Sequence, residues 1–384
     1  MNEPALAHER EFNVPPETVV SVPQPTTLVG CFSEYIKGWS LICNTADGIT
    51  LTLSKREDTV VRVINSAKQD KKKFLTTSIR YRREDKWANA VKSVYLALER
   101  EGVKAPGINL LLSGQGCVSG GDGLFSQIFV GMIVALNSLL SLGYSRDKIY
   151  ETALSAASLS SSSSDIIRIR DIWVLTYGEK NHVYLFDERT EKVTGAEYAI
   201  SPEESCIFDS SLPYSVLTPE YDEFRENLPS LVAAVKAKLP KGTELRNLGE
   251  KDVRYYSTGL IDYEKRCLVF LILSSEYAKK AFECIEKGEG VALGRILSQA
   301  QRSMVMNAEL TCPELDWIFR RCRESKSVIG MASISKGTAG SFLCIVDSQS
   351  AFPDNQKVEE YERIFGFHPK KQPFIPYSSA EIVG

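Results

Sequence analysis

Residues 108–143 constrain this chain more than any other stretch. INLLLSG reads as a fully apolar strand, GQGCVSGGDGLFSQ (114–127) as a glycine-rich loop, and IFVGMIVALNSLLSLG (128–143) as an apolar helix. A strand, a glycine-rich turn and a helix start in direct succession make a site for anions. Glycines let backbone N–H groups converge, and the helix dipole adds partial positive charge. The loop is neither a P-loop, since no GK[ST] occurs, nor a GxGxxG in a βαβ setting. Glycine-rich loops also serve as plain tight turns, so the loop alone leaves both readings open. The apolar helix is too short to span a bilayer and reads as a buried core helix.

Upstream, the runs TVVSVP, TTLVGCF, WSLICNT, ITLTLSK and TVVRVINS, spaced by Gly, Asp and Lys turns, predict an N-terminal sheet of hairpins. DKWANAVKSVYLALEREG follows, with Trp87, Val91, Val94, Tyr95 and Leu98 at helical spacing and Gly102 where a C-cap belongs. DIWVLTYG and HVYLFDER read as a second hairpin. The polar junction DERTEKVTGAEYAISPEES then marks a boundary. The division expected is a loose arm over residues 1–18, a first lobe over 19–198 and a more helical lobe over 199–384, whose last strands return toward the first. A length of 384 residues suits two domains.

Bulk chemistry excludes several classes. A net charge of −3 gives no footprint for nucleic acid. Nine scattered cysteines without a CxxC pair, behind an N-terminus with no apolar signal core, suit free thiols in a reducing cytoplasm. Three histidines cannot supply a metal cluster or a His-based triad at the usual spacings. No charge-free apolar run is long enough for a membrane span, and a monomer is the expected state.

The order of elements resembles the GHMP small-molecule kinases and, within them, the galactokinases, over roughly residues 20–350. The most specific match is NAELTCPELDWIF (307–319), which resembles the family's "vScpELD" helix start. There Pro313 falls early in the first turn and Glu314 and Asp316 at the positive helix end. The helix of Trp87, EYDEFRE (220–226) and KGEGVALGRILSQAQRSM match further family segments. The resemblance implies an α+β, two-lobed GHMP kinase fold, with a ribosomal-S5-like N-terminal lobe and an α+β C-terminal lobe. It also implies ATP and Mg2+ as cofactors and a small-molecule sugar as partner.

The family's N-terminal signature, GRVNLIGEHTDY, lies on QPTTLVGCFSEY. Leu28, Gly30 and Tyr35 are kept, and the sugar-binding Asp becomes Glu34. The family's Arg falls on Pro25, and its Glu and His fall on Cys31 and Phe32, which cannot grip hydroxyls in the same way. Packing suits those two better than binding. The family's GLSSSAS loop and following Glu fall on Gly120, Gly121, Asp122 and Gly123 and on Gln127. This implies a phosphate loop of Gly114, Gly116, Ser119, Gly120, Gly121 and Gly123, with Ser126 and Asp122 as metal candidates. The catalytic Asp of GIMDQ falls on Asp171, within RIRDI. Arg168 and Arg170 beside it either hold the carboxylate ionised and weaken it as a base, replace the charge lost at Pro25, or form a surface pair at a strand end. Tyr221 matches the family's sugar-contacting Tyr, and Gly330, Gly337 and Gly340 match the late glycine loop. Two functions follow: a sugar kinase acting on the anomeric hydroxyl of galactose or a related sugar, or a catalytically impaired homologue acting as a sensor or interaction protein.

Overall fold

The computed structural model describes residues 3–114, 123–160, 167–216, 218–325, 327–334, 340–347 and 355–384. The chain divides into two compact units. One comprises Met1–Thr26, Asn44–Lys180 and Tyr377–Gly384, and the other Thr27–Cys43 and Asn181–Pro376.

Elements are numbered along the whole chain. The first unit holds α1 (Glu3–Phe12), the start of β1 (Thr18–Val29), most of β2 (Trp39–Lys55), β3 (Val60–Asn65), β4 (Asp70–Leu75), α2 (Ala88–Arg100), β5 (Ile108–Ser113), α3 (Leu124–Leu140), α4 (Arg146–Leu159), α5 (Ile169–Tyr177) and the terminal β12 (Glu381–Ile382). Its strands run in the order β12-β1-β2-β5-β3-β4, with β3 and β5 parallel and β2 and β5 antiparallel. Apolar β5 is buried from Ile108 to Leu112, as a strand covered on both faces must be. Helices α2, α3 and α4 bury their apolar stripes in one core with β1, β2, β3 and β5. Gly131 lets α3 come close to the sheet, because a Cβ there would lie 2.6 Å from Val22 Cγ2.

The second unit adds β6 (His182–Asp187) and β7 (Val193–Glu197) beside the first residues of β2. Its own antiparallel sheet, ordered β11-β8-β10-β9, comprises β8 (Ser205–Asp209), β9 (Val328–Ser333), β10 (Ser341–Val346) and β11 (Lys370–Pro373). The helices are α6 (Thr218–Lys236), α7 (Glu250–Tyr256), α8 (Asp262–Glu286), α9 (Gly290–Ser303), α10 (Pro313–Glu324) and α11 (Asn355–Phe365). At α10 the local rules hold: Cys312 is the extended N-cap, Pro313 opens the helix, and Asp316 accepts from Thr311 Oγ1 at 2.7 Å.

Four expectations need correction. The loose arm expected over residues 1–18 is instead a packed helix over Glu3–Phe12: α1 sits on the sheet through buried His8, whose ring nitrogens meet Thr52 Oγ1 at 2.9 Å and Ser54 Oγ at 3.0 Å. DIWVLTYG is helical, within α5, because its buried residues Ile172, Leu175 and Thr176 recur at helical spacing. The two pairs of predicted N-terminal strands are each continuous, as β1 and β2. The boundary falls at Lys180 rather than 198, and Thr27–Cys43 belongs to the second unit, because β1 and β2 carry the chain through both.

Candidate functional site

In the first unit β5 runs into Gly114 at φ +109°, where a Cβ would lie 2.6 Å from the Gly48 carbonyl oxygen. Glycine alone takes that backbone against a neighbouring strand without steric cost. Gly116, Ser119, Gly120, Gly121 and Asp122 lie outside the described residues. Gly123, at φ +96°, leads into α3, and a Cβ there would meet Pro25 Cγ at 2.8 Å. A pyrrolidine ring therefore stands beside the helix start at the position where the resemblance expects an arginine.

The first turn of α3 is buried, and Ser126 and Gln127 expose no surface. Gln127 Nε2 donates to Pro23 O at 2.8 Å, while Gln127 Oε1 and Ser126 Oγ have no hydrogen-bond partner among the described residues. Each buried unpaired oxygen costs about 1–3 kcal/mol. Hydroxyl and amide oxygens suit a hard cation, and magnesium arriving with nucleotide phosphates needs few protein ligands. The pair fits such an ion. Among the described residues no group of three His, Cys, Asp or Glu is placed to hold a metal by itself.

Asp171 lies in the first turn of α5 and is 4% exposed, while Arg168, the N-cap, and Arg170 are 8% and 1% exposed. Arg168 Nη1 stands 3.8 Å from Asp171 Oδ2. The surface pair at a strand end is therefore overturned: the three charged groups are buried at a helix start. There the dipole and the guanidinium both favour the ionised carboxylate.

In the second unit Phe32 is 3% exposed. Its ring lies 5.0 Å from Phe224, 6.0 Å from Tyr221 and 6.3 Å from Phe270, centroid to centroid. Cys31 packs at the edge of this cluster, and its carbonyl accepts from Ser274 Oγ at 3.2 Å. Both residues serve packing. Glu34 and Tyr35, both half-buried, lie in the 3-10 turn Ser33–Ile36. The fold brings Tyr35 and Tyr221, which matched 186 positions apart in the chain, into the one cluster around Phe32.

The second glycine loop divides. Gly330 lies within β9, where a Cβ would overlap the Gly294 carbonyl of α9, so it permits a helix to sit on a strand. Gly340, at φ +81°, leads into β10, and its carbonyl accepts from Ser210 N at 3.0 Å. Gly337 lies outside the described residues.

Residues that no local pattern announced surround the Glu34 turn. Arg246 pairs with Asp187 at 2.6 Å, Ser275 Oγ accepts from Trp39 N at 2.9 Å, and Ser40 Oγ donates to Glu188 Oε1 at 2.7 Å. Burial works to raise the Asp187 pKa. The Arg246 bonds and the backbone N–H groups of Arg189 and Thr190 outweigh it and hold the carboxyl below its ordinary value. Their signal is spatial only, since Arg246 and Lys37 are 209 positions apart.

No family model matches the chain. It is 23% identical over 367 residues to a putative galactokinase of Treponema pallidum, covering 94% of this chain and 91% of that protein. It is 25% identical over 352 residues to a galactokinase of Limosilactobacillus reuteri, with 88% of each covered. The crystal structure of Lactococcus lactis galactokinase complexed with galactose superposes with a TM-score of 0.83 at 17% identity, covering 98% of both chains. The fold is that of the GHMP small-molecule kinases, mixed α and β. Within that superfamily the chain is galactokinase-like.

Proposed function

We propose that this chain is an ATP-dependent sugar kinase that transfers a phosphoryl group to the anomeric hydroxyl of galactose or a related sugar. The observation that carries the reading is coverage: the likeness to galactokinases runs over 88–94% of the chain rather than over one motif. Retained chemistry supports it. Asp171 is the group for the acceptor hydroxyl, as base or orienting carboxylate. Its buried neighbours Arg168 and Arg170 supply positive charge of the kind that phosphoryl transfer uses. Their burial keeps open the idea that they replace the arginine lost at Pro25.

Glu34, Tyr35 and Tyr221 are the proposed sugar contacts. Ser126, with Asp122, would hold a magnesium ion delivered with the nucleotide, and that ion supplies neutralisation of phosphate charge. Gly114, Gly116, Ser119, Gly120, Gly121 and Gly123 are proposed to cradle the phosphates, and Gly330, Gly337 and Gly340 to line the nucleotide side. The eight described cysteines are free thiols, which suits the proposed cytoplasmic setting, and a monomer is the proposed state. Among the described residues no helix is long and apolar enough to cross a membrane.

Because Phe32 is committed to the core, galactose is gripped by fewer polar groups than the resemblance implies, and a sugar with a different hydroxyl pattern becomes a serious acceptor. The test is phosphoryl transfer from Mg-ATP across hexoses, pentoses and amino sugars, read by mass spectrometry, with Asp171→Asn alongside. Turnover that vanishes in the variant supports the reading. No phosphorylated sugar from a folded sample sinks it.

A further inference from the structure

The turn that carries Glu34 and Tyr35 is unusual backbone. Gly30, Phe32 and Lys37 all have positive φ, at 96°, 64° and 54°. Two of these are not glycines, and such residues persist in the left-handed region only where their surroundings hold them. The entry side is held by Ser274 Oγ on Cys31 O at 3.2 Å and by a Ser33 Oγ–Ser40 Oγ bond of 2.7 Å.

The exit side is held by Arg246. Its side chain is 5% exposed. Nη1 donates to Lys37 O and to Asp187 Oδ1, each at 2.6 Å, and Nη2 donates to Asp187 Oδ2 at 3.0 Å. The guanidinium carbon lies 3.3 Å from the Trp39 ring centroid, and Lys279 Nζ stands 4.0 Å from that same ring. Trp39 and Asp187 are direct register partners of β2 and β6, so the fork is braced on two paired strands. Only a planar fork makes two parallel bonds to a carboxylate, spares a third N–H for a carbonyl and stacks on an indole. A lysine ammonium does not.

We infer that Arg246, braced on Asp187 and Trp39, is a positioning residue for the acceptor sugar: it holds Lys37 left-handed and thereby fixes the turn that presents Glu34 and Tyr35. The inference rests on the proposed reading of those two residues as sugar contacts. Arg246 acts through the turn, so its loss shows in sugar affinity and leaves nucleotide affinity alone.

The experiment uses the full chain with Arg246→Met, Arg246→Lys, and Arg246→Met combined with Lys37→Gly. Steady-state kinetics use the best sugar of the panel and Mg-ATP, and hydrogen exchange follows residues 31–38. Arg246→Met is expected to raise KM for the sugar about tenfold or more, with KM for ATP within about twofold and kcat within about threefold. Arg246→Lys, which keeps the buried charge, should fold and recover only part of the loss. Adding Lys37→Gly should bring the sugar KM back to within about threefold of the parent, because glycine adopts that φ unaided. A charge that is merely structural gains nothing from that second change.

Exchange at residues 31–38 should rise in Arg246→Met while β5 stays protected. Equal rises in both KM values, or no rescue by Lys37→Gly, overturn the inference. A parent that phosphorylates no sugar sinks the sugar-kinase reading instead. The exchange arm then decides the clamp alone, and unchanged protection at residues 31–38 overturns it.

Discussion

The Gly30–Gly38 turn of the second unit and the start of α3 in the first unit both depart from the galactokinase pattern, but in opposite physical directions. In the turn, where the resemblance implies a polar sugar-gripping residue, stands Phe32, closed in by Phe224, Phe270 and Tyr221. At α3, where the resemblance implies a carboxylate, stands Gln127, still polar, with one oxygen unpaired among the described residues beside a likewise unpaired Ser126 hydroxyl. The first change is completed by packing and leaves no polar debt. The second leaves two buried oxygens without a hydrogen-bond partner among the described residues, as an incoming ion would require. On the proposed reading, the acceptor side is thus packed with apolar rings, while polar groups remain where a nucleotide and its ion are proposed to bind.

The largest effect should come from the charged group that the first unit retains. Asp171→Asn is expected to lower kcat by about 10²–10⁴-fold and also to lower the melting temperature, because it removes the carboxylate charge beside buried Arg168. A variant with parental turnover would remove Asp171 from the proposed chemistry and break the contrast. Next comes the packed turn. Phe32→Ala should cost about 3–5 kcal/mol in denaturant unfolding, as for other buried aromatics. Phe32→His should also destabilise, without tightening galactose binding by calorimetry, because the site faces apolar rings. A gain in galactose affinity would show instead that the ring lies on the sugar path.

Acid separates the two units as well. Burial lowers the His8 pKa from 6.5 to about 4, against a smaller opposing hydrogen bond with Thr52. Between those values the unfolded chain binds the extra proton, so stability falls as pH falls from 6.5 to 4, by at most about 1.4 kcal/mol per pH unit. Asp187 is shifted downward, so its contribution is complete above its unfolded value of 3.8 and is lost only as pH falls below it. Hydrogen exchange at pH 5 should therefore show β2 and α1 loosened while β6 stays protected. Equal loosening, or loss of the pH effect only in chains that keep His8, would contradict that assignment, and His8→Gln should flatten it. The smallest effect is expected at Lys37. Lys37→Gly removes a left-handed strain of about 1 kcal/mol but adds glycine entropy of similar size, so the melting point should move little. A loss of several degrees would mean that the Lys37 side chain itself holds the turn.

Much of this was legible before any coordinates. Gly102 as the left-handed residue that ends α2, Pro313 and its two acids as a helix start, and the strand and helix on either side of the glycine-rich loop all follow from short-range rules, and the structure shows each. The misreadings share one cause. The α5 segment reads as a strand in sequence because a short apolar run is ambiguous in period, and burial of one helical face decides it. Polar α1 lacks an apolar signal of its own, since it is anchored through His8 to hydroxyls 44 and 46 positions away.

By itself the sequence determined the order of elements, the helix caps, the galactokinase-like pattern and the positions where that pattern fails, since each of these is written in neighbouring residues. Tertiary structure alone decided what the failures mean. Phe32 is core only because α6 and α8 deliver Phe224 and Phe270 to it. The Lys37 carbonyl accepts from Arg246, 209 positions away, beside the local bonds of Lys37 N to Glu34 O and Gly38 N to Ser33 O. Contacts of that separation leave no trace in local periodicity, which is why the galactokinase-like pattern is legible in neighbouring residues and the surroundings of Phe32 and Lys37 are not.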